Sequence, residues 1–269
     1  FSMFYPIVKG YVPPVLSGWF KVFPVPPIPE GDFSLEPRPE GETFIALAGL
    51  DDEEEEERDA KIKAFQMPQQ GLGMCCRYTA YDKESVKRTI LWYLKLGGRH
   101  IDTADLYQNH QWIGEALQIA MKDYKIPREE IFVTTKLWVR SYGSTAPQEA
   151  VTRMLQELQL EYIDLVLMHA PRHIFKLLGK KTECDEQGWT PKQCRVETWK
   201  ALSKIRATGQ VHHIGVSNFV IHQLQELQDL GDSVAPIAVN QFQYNPFMPD
   251  YAHETFWYCM RSDIAVTAW

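Results

Sequence analysis

The chain is poor in several features that would have settled its class at once. Its five cysteines, Cys75, Cys76, Cys184, Cys194 and Cys259, are odd in number and too sparse in 269 residues for a disulfide framework, which predicts reduced, intracellular thiols. Nothing near Cys184 and Cys194 completes a four-ligand set, and adjacent Cys75 and Cys76 cannot easily share one ion, so no metal is expected. There is no run of 18 apolar residues and no charged-then-apolar leader, which predicts no membrane partner, no signal peptide and a cytoplasmic location. Basic residues form no stripe with interleaved aromatics, and this argues against nucleic-acid binding. Glycine is missing where a nucleotide fold would need it: Gly71-Leu72-Gly73 is followed by Met74, Cys75 and Cys76, so the third glycine of G-x-G-x-x-G is absent.

What is present falls into two unlike parts. Nine of the 17 prolines lie within the first 39 residues, and Asp51 to Glu57 is an unbroken acidic run. Residues 1–64 carry 6 Lys/Arg and 13 Asp/Glu, whereas the remainder holds 22 of each sign and is charge-balanced. Proline and like charge at that density build no regular helix–strand pattern, so residues 1–64 read as a disordered, loosely extended extension.

Residues 65–269 read as one catalytic domain. Short β-branched runs occur at 71–74, 100–102, 131–136, 163–169, 213–217, 237–241 and 264–269. Amphipathic stretches separate them. Ile113, Ala116, Leu117, Ala120 and Met121 fall on one helical face, as do Ala150, Val151, Met154, Leu155 and Leu158. Alternation of this kind predicts an α/β fold built on a parallel sheet. Its even spacing, without a phosphate turn, favours a (β/α)8 TIM-type barrel over a doubly wound sheet. Eight strands close such a barrel, so the expected architecture is one truncated after the seventh strand, and a start at Phe1 in place of Met suggests a missing upstream portion.

Barrels of this type carry their chemistry at the C-terminal ends of the strands. Asp102 ends the second run, Tyr107 follows in its loop, Lys136 ends the third and His169 the fourth. Each alone has an ordinary explanation: a helix cap, a loop aromatic, a surface charge, a core histidine. Together, four ionisable groups at successive strand ends, converging within roughly 10 Å at about 4.8 Å per strand, are hard to explain as packing.

The segments Arg99-His100-Ile101-Asp102-Thr103-Ala104, Tyr107-Gln108-Asn109, Thr135-Lys136-Leu137-Trp138, Tyr162-Ile163-Asp164-Leu165, His169-Ala170-Pro171, Gly215-Val216-Ser217-Asn218-Phe219 and Val239-Asn240-Gln241 resemble the signatures of the aldo-keto reductases in order and spacing. The resemblance runs from about Met67 to Trp269. It implies an NAD(P)H-dependent oxidoreductase that reduces aldehyde or ketone carbonyls, with Asp102, Tyr107, Lys136 and His169 as catalytic tetrad. Tyr107 would be the proton donor, and Lys136 the cation that favours its phenolate. Asp102 would pair with Lys136, while His169 would orient the carbonyl. Ser217, Asn218 and Gln241 would hold the nicotinamide carboxamide, and Trp269 would stack on its ring. The bland reading of Ser217-Asn218 is a helix cap before Ile221.

Two departures bear on the substrate. Ala170 stands where the family often has tryptophan, and Met74-Cys75-Cys76 where an aromatic is common. Trp138, Ala170 and Cys75 therefore line a widened apolar pocket for a small-molecule carbonyl or alcohol. Family habit alone places NADPH ahead of NADH, and predicts a monomer when the barrel is complete. Two other readings stay open: a nicotinamide-binding accessory or sensor protein of the same fold, and an inactive fragment.

Overall fold

The structure, a computed structural model, describes residues 44–46, 66–76, 80–171 and 181–269. The extension expected to lack regular structure contributes one strand, β1 (Phe44–Ala46), paired antiparallel with β2 (Gln66–Pro68). The rest of it lies outside the described residues.

Among the described residues, seven further strands form one all-parallel sheet in sequence order: β3 (Gly71–Gly73), β4 (His100–Asp102), β5 (Phe132–Leu137), β6 (Ile163–Met168), β7 (Val211–Ser217), β8 (Val239–Phe242) and β9 (Ala265–Ala268). A doubly wound sheet would reverse its order part-way; this one never does. The crossovers carry helices α1 (Lys83–Lys95), α2 (His110–Lys122), α3 (Ala146–Leu158), α4 (Glu183–Glu186), α5 (Pro191–Ala207), α6 (Ile221–Gln228) and α7 (Asp250–Arg261). None of these helices is long and apolar enough to cross a membrane.

The sheet is curled. Gln241 on β8 donates to Asp102 on β4 at 2.8 Å, although four strand-to-strand steps of about 4.8 Å would hold them some 19 Å apart in a flat sheet. The concave side packs Met67, Phe132, Leu165, Leu167, Ala238, Val239 and Ala265 into one cluster, so β2 puts a core side chain inside the curl. A larger cluster fills the space between strands and helices, and takes in the two predicted faces of α2 and α3. Every residue of β5 and β6 is buried, as expected for parallel strands covered on both sides. Gly215 is required where it stands, because a Cβ there would meet the Val239 carbonyl at 2.5 Å and Leu167 at 2.8 Å.

The cysteine expectation is corrected here. Cys184 and Cys194 form a disulfide, with Cα atoms 5.6 Å apart, that ties the four-residue α4 to α5; Cys75 and Cys76 are also bonded to each other. Only Cys259 is a free thiol among the described residues. Overall sparsity says little about two particular cysteines ten residues apart that the fold places face to face. Next to the disulfide, the Glu183 carboxylate accepts from the amides of Ser144, Thr145 and Ala146 and from the hydroxyls of Ser144 and Thr145. It caps the N-terminus of α3, and those bonds hold its pKa down at about 2 against the opposing effect of burial.

Candidate active site

The strand ends are levelled into one rim by ladder bonds that continue past each strand. Met74 N donates to Asp102 O and Thr103 N to Thr134 O, both at 2.8 Å; His169 N reaches Leu137 O at 3.1 Å and Asn218 N reaches Gln241 O at 2.8 Å. Asp102, Lys136, His169, Ser217, Asn218 and Gln241 thereby come to one end of the sheet. Tyr107 arrives on the 3₁₀ turn Asp105–Tyr107, closed by Tyr107 N onto Ala104 O at 3.0 Å.

At the centre Lys136, 2% exposed, is ion-paired with Asp102 and donates to the Thr103 carbonyl at 3.0 Å. A buried ammonium is tolerable only with such partners. The second Asp102 oxygen takes the Gln241 amide, which fixes the carboxylate. Lys136 Nζ lies 5.2 Å from the centroid of the Tyr107 ring. His169 stands edge-on to Tyr107, with ring centroids 5.7 Å apart, and edge-on to Trp138 at 5.1 Å.

The electrostatics divide the roles. Burial pushes His169 down to about 3, and the Lys136 charge acts in the same sense, so the imidazole is neutral around pH 7. Its Nδ1 is buried and has no hydrogen-bond partner among the described residues. At Tyr107 two effects oppose each other. Burial raises its pKa above the ordinary tyrosine value and outweighs the opposing pull of Lys136, while Asp102 adds to the rise. Lys136 thus limits the cost of a phenolate without making it the resting form. A sequence displays the cation but not the depth at which the phenol sits.

The remaining predicted residues are placed unevenly. Ser217 is buried, and Asn218, at φ 63°, turns its amide onto His169 O at 3.2 Å and Ser217 Oγ at 2.9 Å. The N-cap of α6 is Val220, so Ser217 and Asn218 are not its cap. Ala170 is fixed by Tyr142, whose hydroxyl donates to the Ala170 carbonyl at 2.8 Å. Trp138 is buried and Cys75 half-buried. Trp269 directly follows β9 and is 63% exposed, its amide 3.3 Å from Phe242 O.

Sequence reasoning missed Asn109 and Thr103 as individual participants. Buried Asn109 accepts from Thr103 Oγ1 at 2.7 Å and donates to Met74 O at 2.9 Å, joining the first two strand ends beneath the tyrosine turn. The signal available was a polar residue directly after the Tyr107 turn, at the start of an apolar helix.

This geometry agrees with comparisons to known proteins. The model of the aldo/keto reductase family matches residues 71–269. The chain belongs to that family. Among curated relatives, it is 35% identical over 206 residues to a 9,11-endoperoxide prostaglandin H2 reductase of Trypanosoma cruzi, covering 77% of this chain and 62% of that protein. It is 35% identical over 219 residues to a glycerol 2-dehydrogenase (NADP(+)) of Saccharomyces cerevisiae, covering 76% and 64%. The chain thus spans less than two thirds of these aldo/keto reductases. Among solved structures, a Bombyx mori aldo-keto reductase in complex with NADP superposes with a TM-score of 0.67 at 27% identity, covering 84% of this chain and 66% of that one. An aldo/keto reductase from Brucella melitensis gives 0.63 at 29%, covering 84% and 72%. The predicted fold and family are both met.

Proposed function

We propose that this protein is an oxidoreductase that reduces small aldehyde or ketone carbonyls with NADPH, and that Tyr107 gives the proton. The observation that carries the proposal is the grouping of a protonated phenol, a buried ammonium and a neutral imidazole at one end of the sheet.

The residues beside that group suit a nicotinamide. Ser217, Asn218 and Gln241 offer a hydroxyl and two amides next to the tetrad, matching the donor and acceptor pair of a carboxamide. Trp269 would supply an aromatic face. NADPH is preferred over NADH because the yeast relative is named for NADP(+) and the Bombyx mori protein holds NADP. When bound, the reduced nicotinamide supplies hydride to the carbonyl carbon.

The chain's own groups handle the oxygen. Neutral His169 can donate a hydrogen bond to the carbonyl and orient it without competing for the proton. Tyr107 Oη then donates its proton as negative charge grows on that oxygen. The phenolate left behind is stabilised by Lys136, whose own charge is balanced by Asp102, and Gln241 keeps the carboxylate in place. Trp138, Ala170 and Cys75 would bound the substrate on the apolar side. The residues named for these roles all lie within 65–269.

The test is Tyr107→Phe in the purified protein, followed by NADPH fluorescence titration and aldehyde turnover. Turnover is expected to fall about 10²-fold or more, with cofactor affinity unchanged. A variant keeping more than about a tenth of the rate would remove Tyr107 from its role. Tight NADPH binding by the unaltered protein with no turnover of any carbonyl would replace the reductase reading with a nicotinamide-binding sensor.

A further inference from the structure

Of the buried acids that the mechanism leaves unused, Asp105 lies nearest in sequence to the proton donor. Asp105 heads the 3₁₀ turn that ends at Tyr107 and is 4% exposed. The turn does not need a carboxylate to form, since its closing bond is made by backbone alone. A buried carboxylate is costly unless it is paired, so its presence calls for a partner that matters.

Two guanidiniums hold it. Arg153 on α3 donates to Oδ1 at 2.8 Å, and Arg140, two residues beyond Trp138, reaches both oxygens at 3.3 and 3.2 Å. From Arg153 the contacts continue. Its Nε is 3.8 Å from Glu157, one turn along α3; Glu157 is 3.2 Å from His110 Nδ1; His110 Nε2 is 2.8 Å from Thr135 Oγ1. Thr135 directly precedes Lys136. The path therefore starts two residues before the proton donor and ends one residue before the cation that stabilises its phenolate. Both chain segments are clamped to the same helix.

We propose that Asp105 is a positioning residue, which with Arg153, Glu157, His110 and Thr135 fixes the separation of the Tyr107 turn from the Lys136 strand. The reason to hold that separation is electrostatic. The interaction of a cation with a phenolate in a dry site falls steeply with distance, and misplacement by about 1 Å can cost 10²-fold in rate. A salt bridge kept only for stability would have no need to start beside the proton donor and finish beside the cation that stabilises its phenolate. The inference rests on the reductase reading above, so its test includes one measurement that needs no turnover.

That test compares the unaltered protein with Asp105→Asn, Asp105→Glu and Arg153→Gln. The last alters a side chain 41% exposed, and so tests the path even if a change at the buried acid prevents folding. Asp105→Asn is expected to lower kcat by about 10- to 100-fold, with KM and NADPH affinity within about twofold. Asp105→Glu, keeping the charge, is expected to recover part of the loss, and Arg153→Gln to show a smaller fall of the same kind. The alkaline titration of Tyr107, read by phenolate absorbance against Tyr107→Phe, should move in Asp105→Asn and in Arg153→Gln. If both variants lose thermal stability but keep kcat and the Tyr107 titration midpoint, the network is only structural and the proposal falls. If the unaltered protein reduces nothing, the titration still decides the positioning role by itself.

Discussion

The two sides of the sheet are built to different standards. Around β5 and β6 the strands are buried on both faces, and the charged side chains at the ends of β4 and β5 are paired with each other. Around β8, β9 and α7, apolar side chains face outward instead: Phe247 is 94% exposed, Tyr251 58%, Trp257 57%, Met260 53% and Trp269 63%. The difference separates two demands on one fold. The first side must hold an ammonium, a carboxylate and a neutral imidazole in fixed register, and close packing is what allows charges to be kept out of water at all. The second side contributes the Gln241 amide, and apolar side chains of α7 and of the segment before it stand uncovered among the described residues.

The largest contrast should come from stability. Leu167→Ala removes a buried side chain between β6 and Gly215 and is expected to cost about 2–5 kcal/mol, read as a shift in the denaturant midpoint. A loss below about 1 kcal/mol would mean that the β6 side is no better packed than its opposite.

Acid should sharpen the comparison next. His169 is held at about 3 in the fold against an ordinary value near 6.5, so the folded protein stays neutral there while the unfolded chain takes up a proton. Stability should therefore fall as pH drops from about 6.5 toward 3, with no contribution above that window. His213, held at about 4 mainly by burial, acts with the same sign. His169→Gln should flatten the pH slope by up to about one proton; an unchanged slope would contradict a buried neutral His169.

A smaller effect is expected at the substrate wall. Ala170→Trp should lower kcat/KM for a bulky aldehyde relative to a small one by about tenfold, the range in which pocket shape discriminates. Equal ratios would show that Ala170 does not face the substrate. Least of all should change with Trp257→Ser and Met260→Ser on α7, each within about 0.5 kcal/mol, because both side chains are already more than half exposed. A loss of 2 kcal/mol there would erase the distinction between the two sides.

The same division governs what could be read in advance. Seven short apolar runs, five of them ending in a polar residue, are a local pattern, and they located all seven strands of the sheet and the candidates Asp102, Lys136 and His169. Helix α3 was legible from its apolar spacing in the same way. The Asp105 to Thr135 path was not, because its members are scattered over four segments and become neighbours only when α2 and α3 pack against each other. β1 was missed for a related reason: a three-residue strand with a partner about twenty residues away leaves no periodicity to detect. The burial of Tyr107 was not legible either, because proximity of a cation can be inferred from spacing, whereas depth of burial cannot.

Glu183 shows what the disulfide beside it accomplishes. A four-residue helix has too little of its own to persist, and the carboxylate it carries would otherwise have to find three amides and two hydroxyls by diffusion of a loose segment. The link from Cys184 to Cys194 anchors that segment to a 17-residue helix, so the carboxylate meets the start of α3 at a high effective concentration. One covalent bond thereby converts a weak surface cap into a permanent fixture of the loop that leads out of the Lys136 strand.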